Sequence, residues 1–257
     1  MKQETTILIY DNDCLLCKTY TGIFVKTGLL PASGRQHFNS VDPKIFSLVD
    51  KQKSNNEIPF IDLNQQKVWY GVDALLEILG AKFPLLKKWG NLPHIKWSLQ
   101  RCYKLISYNR KVIVAAAPAA GYDCSPDFNL FYRIFWLLLL FGFQWWMLLP
   151  IYEVVFVTNN FRQVSFDQVR IIYLSVLSLG VIFSLNAGKQ KGMEFMGQWM
   201  MTITINTLLF LPVSVFHTIG IAVSPSLVYF YGGMASLFMC KEGIRRMRYL
   251  KFLPKHE

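Results

Sequence analysis

The sequence predicts an α/β domain followed by an α-helical transmembrane bundle of about four helices. Three observations carry this prediction. Short apolar runs with strand character alternate with helix-patterned segments over the first 80 residues. Residues 1–130 carry 16 Lys/Arg and 11 Asp/Glu, whereas residues 131–257 carry 11 and 5, mostly outside long apolar runs. The second half also holds runs long enough to cross a bilayer. The break falls near residue 125. It gives a domain 1–125 with a basic C-terminal helical segment, then a membrane region 126–257.

Residues 5–10, TTILIY, have the short, β-branched, apolar character of a buried strand. In 14–28, CLLCKTYTGIFVKTG, residues Leu15, Thr19, Ile23, Phe24 and Val25 gather near one helical face, and Gly28 closes the helix. RQHFNSV (35–41) is a second strand. DPKIFSLVD (42–50) is a short helix, with Asp42 as its cap and Pro43 in its first position. IPFIDL (58–63) and KVWYG (67–71) flank a tight turn and form a hairpin. VDALLEILG (72–80) is a helix ending at Gly80. Residues 81–122 then carry eight Lys/Arg and no acid, with Trp89, Trp97, Tyr103 and Tyr108 interspersed. That pattern fits a solvated helical face or a surface lying on lipid headgroups.

Four spans are expected near 131–157, 169–187, 198–220 and 224–240, with Ser224-Pro225 turning the chain between the last two. Four crossings put both termini on one side, together with the basic tail Lys241, Arg245, Arg246, Arg248, Lys251 and Lys255. By the positive-inside rule that side is cytoplasmic, and the loop carrying Arg162 and Arg170 runs against it. The polar residues within spans, Gln144, Glu153, Asn186, Asn206 and His217, read as interhelical hydrogen-bonding groups, and Pro150 and Pro212 as kinks. Residues 1–6 are polar and the apolar run after them is too short for a secretory leader, so the first domain is expected in the cytoplasm. The reading is a multi-pass protein of the cytoplasmic (inner) membrane with the bilayer as a partner. The net charge of +11 lies beside spans rather than in a nucleic-acid-binding pattern, which argues against nucleic acid.

The order strand, helix, strand, helix, hairpin, helix is that of a thioredoxin-like domain, with CxxC where the first strand meets the first helix. YDNDCLLC (10–17) resembles the YDGxCxxC signature of the DCC-type thiol-disulfide oxidoreductase-like family, departing from it at Asn12, where the usual residue is Gly. IPFIDL, GVDALLEIL and LQRCYKLISYNRKVI (99–113) resemble its later segments, and the likeness covers about residues 5–115. It implies a thioredoxin-like fold and a thiol-disulfide oxidoreductase whose only redox group is a dithiol/disulfide, with no cofactor. It also implies a cis bond before Pro59. That bond would leave the Ile58 backbone free to pair with an extended substrate beside Cys14. Asn also tolerates positive φ, so the signature turn can survive at Asn12.

The residues themselves support exchange chemistry. A helix start supplies unpaired N–H groups that favour a thiolate, so Cys14 is the expected nucleophile and Cys17, three residues on, the resolving thiol. Asp13 reads as the helix cap or as a direct participant. Asp11 reads as a base for Cys17 or as a turn-forming Asp. Tyr10 and Pro59 complete the expected support. A lone CxxC supplies only two zinc ligands, so no metal is expected. Cys102 reads as an ordinary helix cysteine. Cys124 and Cys240 are a candidate second redox pair at the membrane face. The function expected is a membrane-anchored thiol-disulfide oxidoreductase acting on a protein or small-thiol substrate, with a cytoplasmic reductant such as thioredoxin or a small thiol. The rival is a membrane transport or partner-subunit module carrying a redox-sensing or inert domain.

Overall fold

Strand β1 (Thr6–Tyr10) is buried on both faces, which explains its unbroken apolar run. Leu8 and Tyr10 face one core layer with Phe60, Ala74 and Ile78. Ile7 and Ile9 face the other, with Val41, Val49 and Ile61. The structure is a computed structural model that describes residues 5–115, 124–157, 164–221 and 223–252. Its chain separates into two compact units, Met1–Tyr132 and Arg133–Glu257.

In the first unit, β1 leads into α1 (Leu15–Lys26), which ends at Gly28 with φ +68°. Then come β2 (Arg35–His37), α2 (Pro43–Phe46), α3 (Lys51–Ser54), the hairpin β3 (Pro59–Asp62) and β4 (Lys67–Tyr70), and α4 (Gly71–Lys82). The sheet order is β2-β1-β3-β4, with β1 parallel to β2 and antiparallel to β3, and β3 antiparallel to β4. This mixed sheet with its helices is thioredoxin-like. As expected, Asp42 caps α2 ahead of Pro43. Asp62 Oδ1 accepts from the Asn64 and Gln65 N–H groups, closing the hairpin turn, and Gln66 takes φ +49°.

Several local expectations are corrected. The residues after Asp50 form α3, capped by the Asp50 side chain. Gly80 does not end α4, which runs on to Lys82. Asn12 does not take positive φ, because the turn closes through Asp11 Oδ1 accepting from the Asp13 N–H at 2.9 Å. Two helices follow, α5 (Pro84–Gly90) and α6 (Pro93–Ile113). Leu85, Leu86, Trp89 and Trp97 are exposed on them, yet the C-terminal half of α6 turns inward and buries Ser107, Asn109, Arg110 and Val112. The segment is therefore not one uniform solvated face.

The second unit is built from α7 (Leu130–Tyr152), whose start belongs to the first unit, and α8 (Phe166–Asn186), α9 (Lys189–Thr218) and α10 (Pro225–Tyr249). A π-helical turn, Glu153–Val157, follows Pro150, which lacks the donor for a regular helical bond. Three stretches, Leu130–Val157, Phe166–Asn186 and Lys189–Thr218, are long and apolar enough to cross a membrane. The expected fourth span corresponds to α10, whose last turns carry Lys241, Glu242, Arg245, Arg246 and Arg248. Its apolar part, 225–240, rises only about 24 Å against a hydrocarbon core of about 30 Å. The third span also starts earlier than expected. Lys189 and Lys191 lie in the first turn of α9, and Gly188 (φ +82°) joins it to α8. Gly192 makes the close α8–α9 approach feasible, since a Cβ there would lie 2.1 Å from the Ser184 carbonyl oxygen. The tail is not wholly available to headgroups either: Arg246 is buried and donates to Gln198 and to Glu242. Arg162 and Lys255 lie outside the described residues.

Candidate active site around Cys14 and Cys17

Cys14 is itself the N-cap of α1, with extended backbone (φ −91°, ψ 105°), and its Sγ accepts from the Cys17 N–H at 3.4 Å. The sulfur takes the place of a capping oxygen, satisfying one of the N–H groups the helix start leaves open. This corrects the expectation for Asp13. It sits before the cap, and its N–H closes the turn onto Asp11.

The two thiols differ sharply. Hydrogen bonding from Cys17 to the Cys14 sulfur pulls the Cys14 pKa from 9.0 down to about 6, with Arg110 adding to the lowering. Burial and the Asp11 carboxylate oppose it. The same hydrogen bond holds Cys17 as the protonated partner and, with burial, pushes its pKa well above the ordinary value. Both sulfurs are nonetheless enclosed: Cys14 is 4% exposed and Cys17 6%.

The support comes from three elements. β1 ends in Tyr10, whose ring lies in the core 4.0 Å from the Arg35 guanidinium. Tyr10 is therefore a packing residue that anchors the strand-to-helix junction. Asp11 is buried, with its Oδ2 3.6 Å from Arg110 Nη2. α6 delivers Arg110, which also donates to the carbonyls of Asn55 and Cys124. Arg110 was missed as a site residue from sequence. The available signal was Tyr103, Ser107, Arg110 and Val114 recurring on one helical face of a segment read as surface.

Pro59 begins β3 and is fully buried, but no cis peptide bond occurs among the described residues, which corrects the expected cis bond. The Ile58 backbone is not free for a substrate strand either. Its N–H donates to Tyr103 Oη at 2.9 Å, and its carbonyl accepts from the Gly71 N–H at 3.0 Å. Burial raises the Tyr103 and Tyr20 pKa values, so both phenols stay neutral.

A cavity of about 600 Å³ lies between α1 and α6. Cys17, Asp11, Tyr20, Tyr103 and Arg110 contribute to its wall, and the rest is largely apolar. All five cysteines are thiols. Cys102 is exposed on α6, Cys124 is buried in the first unit, and Cys240 is exposed on α10 in the second.

Fold and site together define a thioredoxin-like domain with a CxxC pair at the start of its first helix. Residues 8–115 match the model of the DCC1-like thiol-disulfide oxidoreductase family. The match ends before the helical unit begins. No curated protein and no solved structure matches the chain.

Proposed function

We propose that the chain is a membrane-anchored thiol-disulfide oxidoreductase that exchanges its Cys14–Cys17 dithiol with a protein or small-thiol substrate. The observation that supports this most is Cys14 at the cap of α1, its pKa lowered to about 6. A thiol in that state is largely thiolate at neutral pH. Cys14 attacks one sulfur of a substrate disulfide, and the other sulfur leaves with the electron pair. Cys17 then attacks Cys14 Sγ in the mixed disulfide, releasing the second substrate thiol and closing the Cys14–Cys17 disulfide. Cys17 must lose its proton for that step. Asp11 Oδ2 is buried without a hydrogen-bond partner and lies on the same cavity wall, so we assign it as the acceptor. A cytoplasmic reductant, such as thioredoxin or a small thiol, restores the dithiol.

The three apolar helices support anchoring, and we place the first domain on the cytoplasmic side of the inner membrane; the C-terminus shares that side if α10 crosses as a short fourth span. The exposed apolar corner Leu85, Leu86 and Trp89, interleaved with Lys82, Lys87 and Lys88, fits an anionic headgroup layer. Hydrogen exchange over 83–97 should slow in nanodiscs of anionic lipid and not in zwitterionic ones. Equal exchange in both would remove that contact.

Burial of both sulfurs favours a second reading, in which the domain senses redox state for a membrane transport or partner-subunit module. Insulin disulfide reduction by the full chain in detergent separates the two. The enzyme reading expects turnover that Cys14→Ser abolishes, and a mixed disulfide that accumulates on Cys14 in Cys17→Ser. A chain without turnover, whose cellular phenotype survives Cys14→Ser, is not this enzyme.

A further inference from the structure

We propose that the cavity beside Cys17 admits a small, uncharged, apolar thiol, which reduces the Cys14–Cys17 disulfide by attacking Cys17 rather than Cys14. This rests on the exchange reading above and adds where the reducing equivalents enter and in what chemical form.

Access decides the sulfur. Both cysteines are nearly closed to solvent, and of the two only Cys17 lines the cavity. A small thiol reaches Cys17 through the cavity of the closed domain, whereas a protein partner, as substrate or reductant, meets either sulfur only when the domain opens. The Ile58 backbone also offers no free edge for a peptide, since both of its groups are already bonded. A small molecule meets neither obstacle.

The wall decides the chemistry. Leu15, Leu16, Phe24, Leu75 and Ile106 make most of it apolar. Its two charged groups, Asp11 and Arg110, lie 3.6 Å apart and offset each other, so a ligand with net charge gains little. Arg110 Nε is buried and has no acceptor, which leaves a donor for a neutral carbonyl oxygen on the ligand. An apolar mercapto-amide has those features, and glutathione, polar and charged, lacks them.

The electron count closes. The thiolate RS⁻ attacks Cys17 Sγ, the Cys14–Cys17 bond breaks, and the electron pair leaves on Cys14 Sγ. That sulfur becomes a thiolate at the cap of α1, where it receives the Cys17 N–H. A second RS⁻ attacks the outer sulfur of the mixed disulfide, forming RSSR and releasing Cys17 as a thiolate that takes up a proton. Two thiols are oxidised to one disulfide, and the protein disulfide is reduced to a dithiol. The lowered Cys14 pKa agrees with this direction, because a low-pKa thiol is the better leaving group.

The test uses the full chain in detergent, oxidised, with 6-mercaptohexanamide and glutathione compared at equal thiolate concentration. Iodoacetamide at about pH 6.5 captures the released Cys14 thiolate before it re-attacks. Peptide mass mapping then locates the bound thiol. The mercapto-amide should be found on Cys17 and should react roughly tenfold or more faster than glutathione, the discrimination an apolar pocket gives at methylene scale. Thr19→Trp, an exposed α1 position lining the cavity, should erase that preference while leaving glutathione unaffected. An adduct on Cys14, equal rates for the two thiols, or a preference that survives Thr19→Trp overturns the proposal even if insulin turnover persists. Loss of insulin turnover itself in the unmodified chain overturns the exchange reading, and this inference with it.

Discussion

The two units solve the problem of burial in opposite ways. In the first, Leu8, Ile9 and Ile61 are enclosed, and charge is mostly outside. In the second, Leu138, Ile171, Leu179 and Leu185 are exposed, whereas Gln144, Gln198 and Arg246 are enclosed. Gln144 accepts from Tyr173 Oη at 2.8 Å and donates to Thr204 Oγ1 at 2.7 Å, joining α7, α8 and α9. The first pattern suits water, which drives apolar groups inward. The second suits lipid, where leucine is at home and polar side chains seek each other. The exception in the first unit is therefore informative. Asp11 and Arg110 are an enclosed ion pair in a water-type core, and they sit beside the two sulfurs.

The largest effect expected from breaking this contrast is at that pair. Arg110→Met leaves Asp11 buried without its counter-charge and should cost about 3–5 kcal/mol. It also removes one of the influences lowering the Cys14 pKa, which should rise. Hydrogen exchange of β1 and β3 in the full chain would measure the first effect, and the pH profile of Cys14 alkylation the second. Adding Asp11→Leu should restore much of the stability and, because that carboxylate raises the Cys14 pKa, part of the Cys14 reactivity as well. If the single variant is as stable as the parent, the pair is not a buried charge pair in solution.

A matched substitution tests which solvent each unit meets. Ile23 on α1 is 49% exposed and Leu139 on α7 is 47% exposed. Ile23→Lys should change stability by no more than about 0.5 kcal/mol, since it exchanges one water-facing side chain for another. Leu139→Lys should cost about 2.5–3.5 kcal/mol in a bilayer. Equal tolerance of the two lysines, measured by unfolding in lipid nanodiscs, would remove the membrane reading of α7. Gln144→Leu is the gentler probe of the same unit. It should cost about 0.6–1.7 kcal/mol, the usual worth of a hydrogen bond between helices in lipid, and Tyr173→Phe should lose a similar amount through the same contact.

How far each unit can be read from sequence follows from the same contrast. β1, the Asp42–Pro43 start of α2, the hairpin and the helix opening at the CxxC were legible, because each is set by period, cap or turn residues close in sequence. Cys14 as the cap was not, since a thiol rarely fills that position and Asp13 next to it is the commoner choice. Arg110 was hidden because a basic helix reads as surface until a distant Asp11 is known to face it. The end of the membrane region failed for a related reason. Arg246 looks like a headgroup-facing tail residue until α9 is seen to supply Gln198. In each case the missing information is a partner far away in the chain.

The smallest predicted effect concerns the pH dependence of the reduction potential. Cys14 has a depressed pKa, so its ionisation stabilises the reduced fold fully above the ordinary value of 9.0 and loses that contribution as pH falls through about 6. Cys17 stays protonated across this window because its pKa is raised. Below about pH 6, reduction of the disulfide therefore takes up two protons, and the potential should fall by about 59 mV per pH unit. Between about pH 6 and 9.0 it takes up one, and the slope should halve to about 30 mV. Titration of the full chain against thiol redox buffers across this range would show the bend. An unperturbed dithiol bends only near its free thiol value, about 8.5. Arg110→Met should move the bend upward, whereas Cys240→Ser, on the helical unit, should leave it in place. A bend that stays near 8.5 in the parent chain would mean that the cap of α1 does not hold Cys14 as a thiolate, and the distinction between the two sulfurs would go with it.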